Sequence, residues 1–411
     1  MCGFLVVPNF TPHDFTKVSL RGGDHLSTVS VHGYTFRHSL LSVTGAFVPQ
    51  PYFNSNGNIV CVYNGEIYNH PFERSDGEVL IRLYEEHGTV FPRKLDGEFA
   101  IALYDFSRGI CLFATDDFGT KPLFVNGVSC SSYRSGCGGD RILANTIIVK
   151  RLSDEGIIYE GTVNDFDFNS QSVDSYNPWI DAFGRSIAKR GKHRCFIGLS
   201  SGYDSGAISC ELQLQGLDFK AIAIAGSENK DVINERSKRL RDVLVLDGID
   251  YSSVISHIEK SVEDEPYNLH FDSPQTSIFR DRAIIGLGKI CEIGKAENRR
   301  VYISGQGSDE ILSDYSLFGV QSELKGVYPN NLKEWKNFRK GCQYAYLMKE
   351  EYIAGSYGIE TRYPFLDRAL VQEFLNLTPE LKNAHYKAPL REYLIRNNFP
   401  FEENVKRGFN P

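Results

Sequence analysis

The 411-residue chain has no C-x-x-C pair and no zinc-type spacing among its nine cysteines, which stand at positions 2, 61, 111, 130, 137, 195, 210, 291 and 342. An odd, dispersed set without such spacing fits reduced thiols in a cytosol better than a disulfide framework. The start of the chain lacks the basic stretch and long apolar core of a secretion signal, and no run of about 18 or more apolar residues is present to cross a bilayer as a helix. A cytoplasmic protein is expected. Charge of one sign is also missing: 45 Lys and Arg face 52 Asp and Glu, a net charge of -7, which leaves no basic footprint for nucleic acid or an anionic membrane. There is no internal repeat and no low-complexity tract. What remains, 41% hydrophobic and 24% charged, is ordinary globular composition, long enough for two or three domains with their own cores.

The texture changes halfway. Up to residue 165 the chain reads as short alternating runs cut by turn residues: Asn58 to Tyr63 ending at Asn64-Gly65, Phe99 to Tyr104, and Ile110 to Ala114. One helix interrupts them, Asp76 to His87, opened by a capping box of Ser75 and Glu78 and closed near Gly88. This predicts an α+β domain of stacked sheets over 2–165. The polar stretch Asn164 to Asn177 reads as a linker. From 177 to 411 strands and helices alternate: a strand Phe196–Leu199, a helix Ser205–Leu214, a strand Ala221–Ala225, a charged helix Glu235–Asp247, a helix Arg280–Ile293 and a strand Arg300–Ile303. That rhythm predicts an α/β doubly wound parallel sheet.

Two loops in the second half carry phosphate chemistry. Gly198-Leu-Ser-Ser-Gly-Tyr-Asp-Ser-Gly206 joins a strand to a helix with small residues and hydroxyls, which puts backbone N–H groups and a positive helix end together. No Lys-Ser or Lys-Thr follows the glycines, so it is not a Walker loop. An ordinary tight turn is the plain alternative. Ser304-Gly-Gln-Gly-Ser-Asp-Glu310 repeats the strand-to-helix setting, so both loops should open at one edge of the sheet. Each brings an acid, Asp204 and Asp309, and two carboxylates facing a triphosphate suit Mg²⁺. At the other end of the chain, Cys2 follows the initiator Met. Removal of Met1 would put a thiol and a free α-amine, with a pKa of about 7.7 to 8.0, on one residue that carries its own base.

These residues resemble a family. Ser200 to Ser205 looks like the pyrophosphate loop of the ATP pyrophosphatases. Ser304 to Glu310 with Tyr315, Gly358 to Asp367, Lys387-Ala-Pro-Leu-Arg391 and Lys406 to Pro411 are similar to the synthetase domain of glutamine-dependent asparagine synthetases. Cys2-Gly3, Arg21 to Asp24, Asn64 to Asn69, Ser75 to Val79, Leu95 to Ala100 and Asp117 to Leu123 look like a class II glutamine amidotransferase domain, of the αββα, Ntn-type fold. The resemblance implies that Cys2 attacks the side-chain amide of glutamine with its α-amine as base. Asn64 and the Gly65 N–H would stabilise the oxyanion, Asp76 would hold the substrate ammonium, and Glu66 and Arg37 would complete the glutamine site. It further implies an acyl-adenylate made from ATP and a carboxylate acceptor, then displacement of AMP by ammonia. Leu199, Ser200, Ser201, Gly202, Asp204, Ser205, Ala225, Ser304, Gly305 and Gln306 would bind ATP, Asp204 and Asp309 would hold Mg²⁺, and Lys387 would neutralise phosphate charge. A homo-oligomer is left open.

Each residue also has a plain reading. Asp76 is a natural first-turn acid, Asn64-Gly65 a natural hairpin turn, and Lys387 with Arg391 a solvated helix face. Cys61, Cys111, Cys195 and Cys210 read as core, and Arg362 to Asp367 as an anchor for a helix. Two departures stand out. Where the family segment supplies an arginine for the glutamine carboxylate, this chain has Leu40, so Arg37, Arg21 or Arg74 must compensate or the glutaminase is weak. Gln306 stands where a glutamate is usual, and an amide cannot act as a base. The expectation is an asparagine synthetase or close amidotransferase. Its rivals are a tailoring ligase acting on another carboxylate, of a peptide, sugar or natural product, and a catalytically silent homologue.

Overall fold

The computed structural model describes residues 2–226, 228–266, 276–315 and 322–406. The chain divides into two units, Met1–Asp165 with Glu259–Glu265 and Glu351–Glu360, and Phe166–Ile258 with Pro266–Glu350 and Thr361–Pro411. Met1 and the end of the C-terminal signature beyond Lys406 lie outside the described residues.

The first unit holds twelve strands: β1 (Gly3–Pro8), β2 (His25–Val31), β3 (Tyr34–Leu40), β4 (Tyr52–Phe53), β5 (Ile59–Ile67), β6 (Gly97–Asp105), β7 (Ile110–Thr115), β8 (Phe124–Asn126), β9 (Ser129–Ser131), β10 (Asp140–Arg141), β11 (Thr146–Arg151) and β12 (Ile157–Gly161). They form two six-stranded sheets, β10-β8-β9-β1-β3-β2 and β12-β11-β7-β6-β5-β4. Strand alternation explains the stacking. On β5, Val60 and Val62 face Phe4, Val6 and Phe36 of the other sheet, while Cys61 and Tyr63 point to the opposite face. That outer face is covered by α2 (Val79–His87), following the short α1 (Thr16–Ser19) that packs on β1. Val79, Leu80, Leu83 and Tyr84 of α2 are buried, each of its full-length apolar side chains contributing roughly 1.5–3 kcal/mol. The predicted helix from Asp76 begins as a 3-10 turn, Asp76–Glu78, with the Glu78 carboxylate accepting from the N–H groups of Arg74 and Ser75, each at 3.2 Å. Gly88 ends it at φ +63, as the reading from sequence had it.

One local reading is corrected. Asn64-Gly65 is not a hairpin turn, because β5 runs straight through it, pairing Asn64 with Ala100 and Gly65 with Phe99. At φ +144, Gly65 lies so close to β6 that a Cβ would stand 1.8 Å from the Glu98 carbonyl oxygen.

Among the described residues the second unit holds a five-stranded sheet in the order β15 (Val243–Leu246), β14 (Phe219–Ile224), β13 (Cys195–Gly198), β16 (Val301–Ile303) and β17 (Glu360–Arg362). Pairs β15/β14, β14/β13 and β13/β16 are parallel. The chain leaves β13 towards β14 on one side and returns to β16 on the other, so a switch point falls between β13 and β16, where ligand crevices form in such sheets. The helix expected over Glu235–Asp247 is instead α6 (Lys230–Arg239), after α3 (Arg134–Cys137), α4 (Asn177–Arg190) and α5 (Tyr203–Leu214). Asn229 starts α6 early, its side chain accepting from the N–H groups of Asp231 and Val232, and Leu240 is already extended. Val243-Leu-Val-Leu246 then pairs along β14 as an edge strand, sheet pairing outweighing a weak helical pattern. The helix expected from Arg280 begins at Ala283, after α7 (Ser252–Ser261), as α8 (Ala283–Ala296), because the Asp281 carboxylate takes the Ala283 N–H at 2.9 Å.

Candidate active sites

In the first unit the nucleophile candidate lies just ahead of β1. Cys2 is buried against Leu40 and Leu41, and its sulfur accepts the Leu41 N–H at 3.4 Å. Burial pushes the thiol up to about 11; the positive chain terminus and the Leu41 N–H pull it down, while Glu360 and Asp76 add to the rise. A thiol held this high needs a base beside it before it can attack. Asp76 is therefore within electrostatic reach of Cys2. Its Oδ2 accepts the Ile67 N–H at 2.9 Å and its Oδ1 the Ser75 hydroxyl at 3.4 Å, so it is fixed by more than a helix start. Gly77 lets the turn lie against Tyr52 and Tyr63, since a Cβ there would come within 2.3 Å of the Tyr63 ring.

Asn64 is completely buried, and among the described residues neither its amide oxygen nor its nitrogen has a hydrogen-bond partner. A buried polar group is almost always paired, so this amide, like those of the other unpaired buried groups, is open to a partner. Glu66, two residues on, accepts the Thr44 hydroxyl at 2.9 Å.

The three candidate cations for a substrate carboxylate fare differently. Arg37 pairs with Leu5 in β1, and its guanidinium lies 4.4 Å over the Phe15 ring and 3.4 Å from His13, so the structure does not bring it to Cys2. Arg21 is fully buried and spent: Nε donates to the Cys2 carbonyl at 2.9 Å, Nη2 to Glu351 at 2.8 Å and Nη1 to the Tyr133 hydroxyl at 3.0 Å. Arg74 is 62% exposed at its side chain and lies 3.8 Å from Glu78. Sequence reading missed Lys121 and Glu351, a buried pair at 2.9 Å that extends the Arg21 network. The quoted Asp117 to Leu123 segment contained the lysine, but nothing local pointed to a partner 230 residues away.

In the second unit, β13 and β16 both release their loops at the switch point. Leu199 continues the sheet by donating to the Ile222 carbonyl at 2.8 Å, and Ala225 likewise donates to Leu246 at 2.8 Å. The Ser205 hydroxyl oxygen accepts the Ser200 N–H at 3.0 Å and lies 2.8 Å from the Ser200 hydroxyl, closing the turn at the start of α5. The Ser201 N–H and hydroxyl both donate to Glu228 at 2.5 Å. The loops meet: a Cβ on Gly305 would stand 3.2 Å from the Cβ of Asp204, and the Ser308 hydroxyl donates to Asp204 at 2.6 Å. Ser308 opens the short helix α9 (Ser308–Leu312). In the loop before it, the Ser304 hydroxyl accepts the Gln306 N–H at 3.0 Å.

Lys387 ties the acids together. Its Nζ donates to both Asp204 oxygens at 2.7 Å and lies 3.0 Å from Asp309, which also accepts the Tyr386 hydroxyl at 3.1 Å. Lys387 is no solvated helix face: it is 3% exposed and precedes its helix at φ +48, while Arg391 pairs with Glu403. Burial would raise Asp309, but Lys387 and Lys406 outweigh it and hold the carboxyl at about 2; Asp204 is raised, by burial first and by the charge of Asp309. Two acids sharing one ammonium titrate as a unit. Lys406, missed as an individual site residue, lies 3.6 Å from Asp309 and 3.8 Å over the Tyr315 ring. No cluster of three or more His, Cys, Asp or Glu able to hold a metal occurs among the described residues. Mg²⁺ needs no such cage, since one or two carboxylates with substrate phosphates suffice, and Asp204 with Asp309 is such a donor set. Asp367 is structural, capping the helix after it through the N–H groups of Ala369 and Leu370 and pairing with Arg190 at 2.8 Å. Cys61, Cys111, Cys195 and Cys210 are buried with thiols pushed up by burial. No helix among the described residues is long and apolar enough to cross a membrane.

Comparison with known proteins finds a family match in each half of the chain. Residues 1–159 match the glutamine amidotransferase domain family and residues 338–402 the asparagine synthase family. Asparagine synthetase [glutamine-hydrolyzing] 2 of Arabidopsis thaliana is 28% identical over 86% of this chain and 65% of its own length. The nodule asparagine synthetase of Pisum sativum is 26% identical over 98% and 75%, and asparagine synthetase 1 of Lotus japonicus 27% identical over 98% and 75%. The chain thus spans 65% to 75% of the length of these relatives. An NMN synthetase of Francisella tularensis aligns with 57% of this chain and 97% of its own at 12% identity and a TM-score of 0.24, a likeness too slight to bear on fold or activity. Both halves are thus matched in order along one chain, the first by a glutamine amidotransferase domain and the second by asparagine synthase, and these relatives are glutamine-hydrolysing asparagine synthetases at 26% to 28% identity.

Proposed function

We propose that residues 2–165 form a glutaminase and residues 177–411 an AMP-forming synthetase, which together convert a carboxylate to its amide, with asparagine from aspartate or a close analogue as the first product to seek. After removal of Met1, the α-amine of Cys2 takes the thiol proton and sulfur attacks the glutamine amide carbon. The oxyanion forms against the Asn64 amide and the Gly65 N–H, ammonia leaves, and water releases glutamate from the thioester. Asp76 holds the glutamine ammonium beside Glu66. In the synthetase, a carboxylate oxygen of the acceptor attacks the α-phosphorus of ATP, pyrophosphate departs, and ammonia then attacks the acyl carbon while AMP leaves. Ser200, Ser201, Gly202 and Ser205 with Ser304, Gly305 and Gln306 hold the nucleotide, between Leu199 and Ala225 at the sheet edge. Asp204 and Asp309 would hold Mg²⁺, which when bound offsets charge on the phosphate oxygens; Lys387 supplies a fixed cation to the same oxygens.

The observation that carries the reading is the convergence of Asp204, Asp309 and Lys387 within 3.0 Å at the mouth of two strand-to-helix loops. Nine cysteines in a chain whose described thiols form no disulfide support a cytoplasmic setting. Leu40 packed on Cys2 and an amide at Gln306 favour a second reading, a ligase of the same build acting on a carboxylate other than aspartate. Mass spectrometry of products from purified protein with ATP, Mg²⁺, glutamine and a panel of carboxylates decides between them. Asparagine supports the first, another amide the second, and no AMP or glutamate with any acceptor removes both.

A further inference from the structure

Arg236 is a buried cation on a helix that reads as charged. Its side chain is 0% exposed, and none of the described carboxylates accepts a hydrogen bond from it. All its recorded donors go to backbone oxygens: Nε to Pro400 at 2.8 Å, Nη2 to Gly202 at 2.8 Å, and Nη1 to Ser200. The guanidinium lies 5.5 Å over the Phe399 ring. It also dictates a glycine on α5, because a Cβ on Gly206 would stand 2.2 Å from Nη2.

The consequence follows from the trans peptide, in which C=O and the next N–H point opposite ways. With the Ser200 and Gly202 carbonyls turned to the guanidinium, the N–H groups of Ser201 and Tyr203 are turned away from it. The outward face already takes an oxyanion, for a Glu228 oxygen sits 2.5 Å from the Ser201 nitrogen. The charged groups around the turn are then Arg236 behind it, Glu228 on its N–H side, and Asp204 with Lys387 at its far end.

We infer that Arg236 is the positioning residue of the phosphate loop: it holds the Ser200–Gly202 turn carbonyl-side inward and so presents the N–H groups and its own buried charge to the polyphosphate of a nucleotide. The inference rests on the ATP site proposed above. Arg236 touches no substrate atom; it acts through the loop.

Titration calorimetry with ATP and, separately, adenosine tests it on the full-length protein. Arg236→Gln should weaken ATP by about tenfold or more, the scale of one or two charge-assisted hydrogen bonds, while adenosine affinity stays within about twofold. Arg236→Lys, which keeps the charge but not the fork, should fall between, and serves if the glutamine variant does not fold. Gly206→Ala, which crowds the guanidinium without removing it, should show the same phosphate-selective loss. Unchanged ATP affinity in these variants, or equal weakening of ATP and adenosine, overturns the role. A wild-type protein that binds no ATP removes the nucleotide site and this inference with it.

Discussion

Replacing Asn64 separates catalysis from stability. The side chain is fully buried and both amide atoms lack partners among the described residues, so the folded protein bears the cost of an unsatisfied donor and acceptor, roughly 1–3 kcal/mol for each such group. Asn64→Ala removes that cost and loses some packing in return. The two are of similar size, so the net change in stability should lie within about 1 kcal/mol of zero. A buried asparagine whose bonds were all made would show a clear loss. Catalysis should respond quite differently. An oxyanion donor of this kind supplies about 2.7–4 kcal/mol in the transition state, a fall of about 10²–10³ in kcat for glutamine hydrolysis. The assay pairs glutamate release with thermal melting of the same preparation. Glutaminase within a few-fold of wild type, or a melting temperature lowered by many degrees, would refute the argument. The first would mean that the oxyanion is held elsewhere, and the second that the amide is a structural element whose partners are hidden.

Further outcomes follow from the same geometry. Cys2→Ala should abolish glutamine hydrolysis and spare synthesis from added ammonia, read by product formation with each nitrogen source; equal loss with both would place Cys2 outside the glutaminase. Leu40→Arg should lower the KM for glutamine by about tenfold, since it adds a charge-assisted pair at the wall beside Cys2, whereas Arg37→Ala, whose guanidinium lies over Phe15, should leave KM unchanged. Asp309→Asn should reduce pyrophosphate release while leaving glutaminase intact, and unchanged release would put the metal elsewhere. Asp309 also has a pH signature. Its folded pKa, about 2, lies below the usual value, so its pairing stabilises fully above about pH 4 and is lost as pH falls towards 2. Lys387→Met, which leaves Asp204 and Asp309 buried without their shared ammonium and so raises both, should destabilise by a few kcal/mol at neutral pH, with the deficit shrinking in melts as pH falls and the acids take up protons. A deficit independent of pH would mean that Lys387 matters for packing alone.

The sequence alone determined the fold class of the two parts, stacked antiparallel sheets and then a parallel sheet with helices, for a physical reason: period-two alternation and strand-to-helix loops are local patterns, legible over ten or fifteen residues. Val60 and Val62 against Cys61 and Tyr63, the Gly88 stop, and the small-residue turns at Ser200 and Ser304 are all of this kind. Where two local tendencies competed, the text misled. Asn64-Gly65 has the composition of a hairpin turn, and only pairing with β6 keeps it in a strand; Val243–Leu246 became an edge strand because β14 offered a ladder. Charge partnerships were not legible at all, because they join residues far apart in the chain. Lys387 could not be seen to bridge Asp204 and Asp309, Arg37 could not be seen to lie on Phe15, and nothing in the charged segment from Glu235 singled out Arg236. Those assignments depend on which carboxylates, backbone carbonyls and aromatic rings the fold brings against an ammonium or guanidinium, and tertiary packing alone decides that.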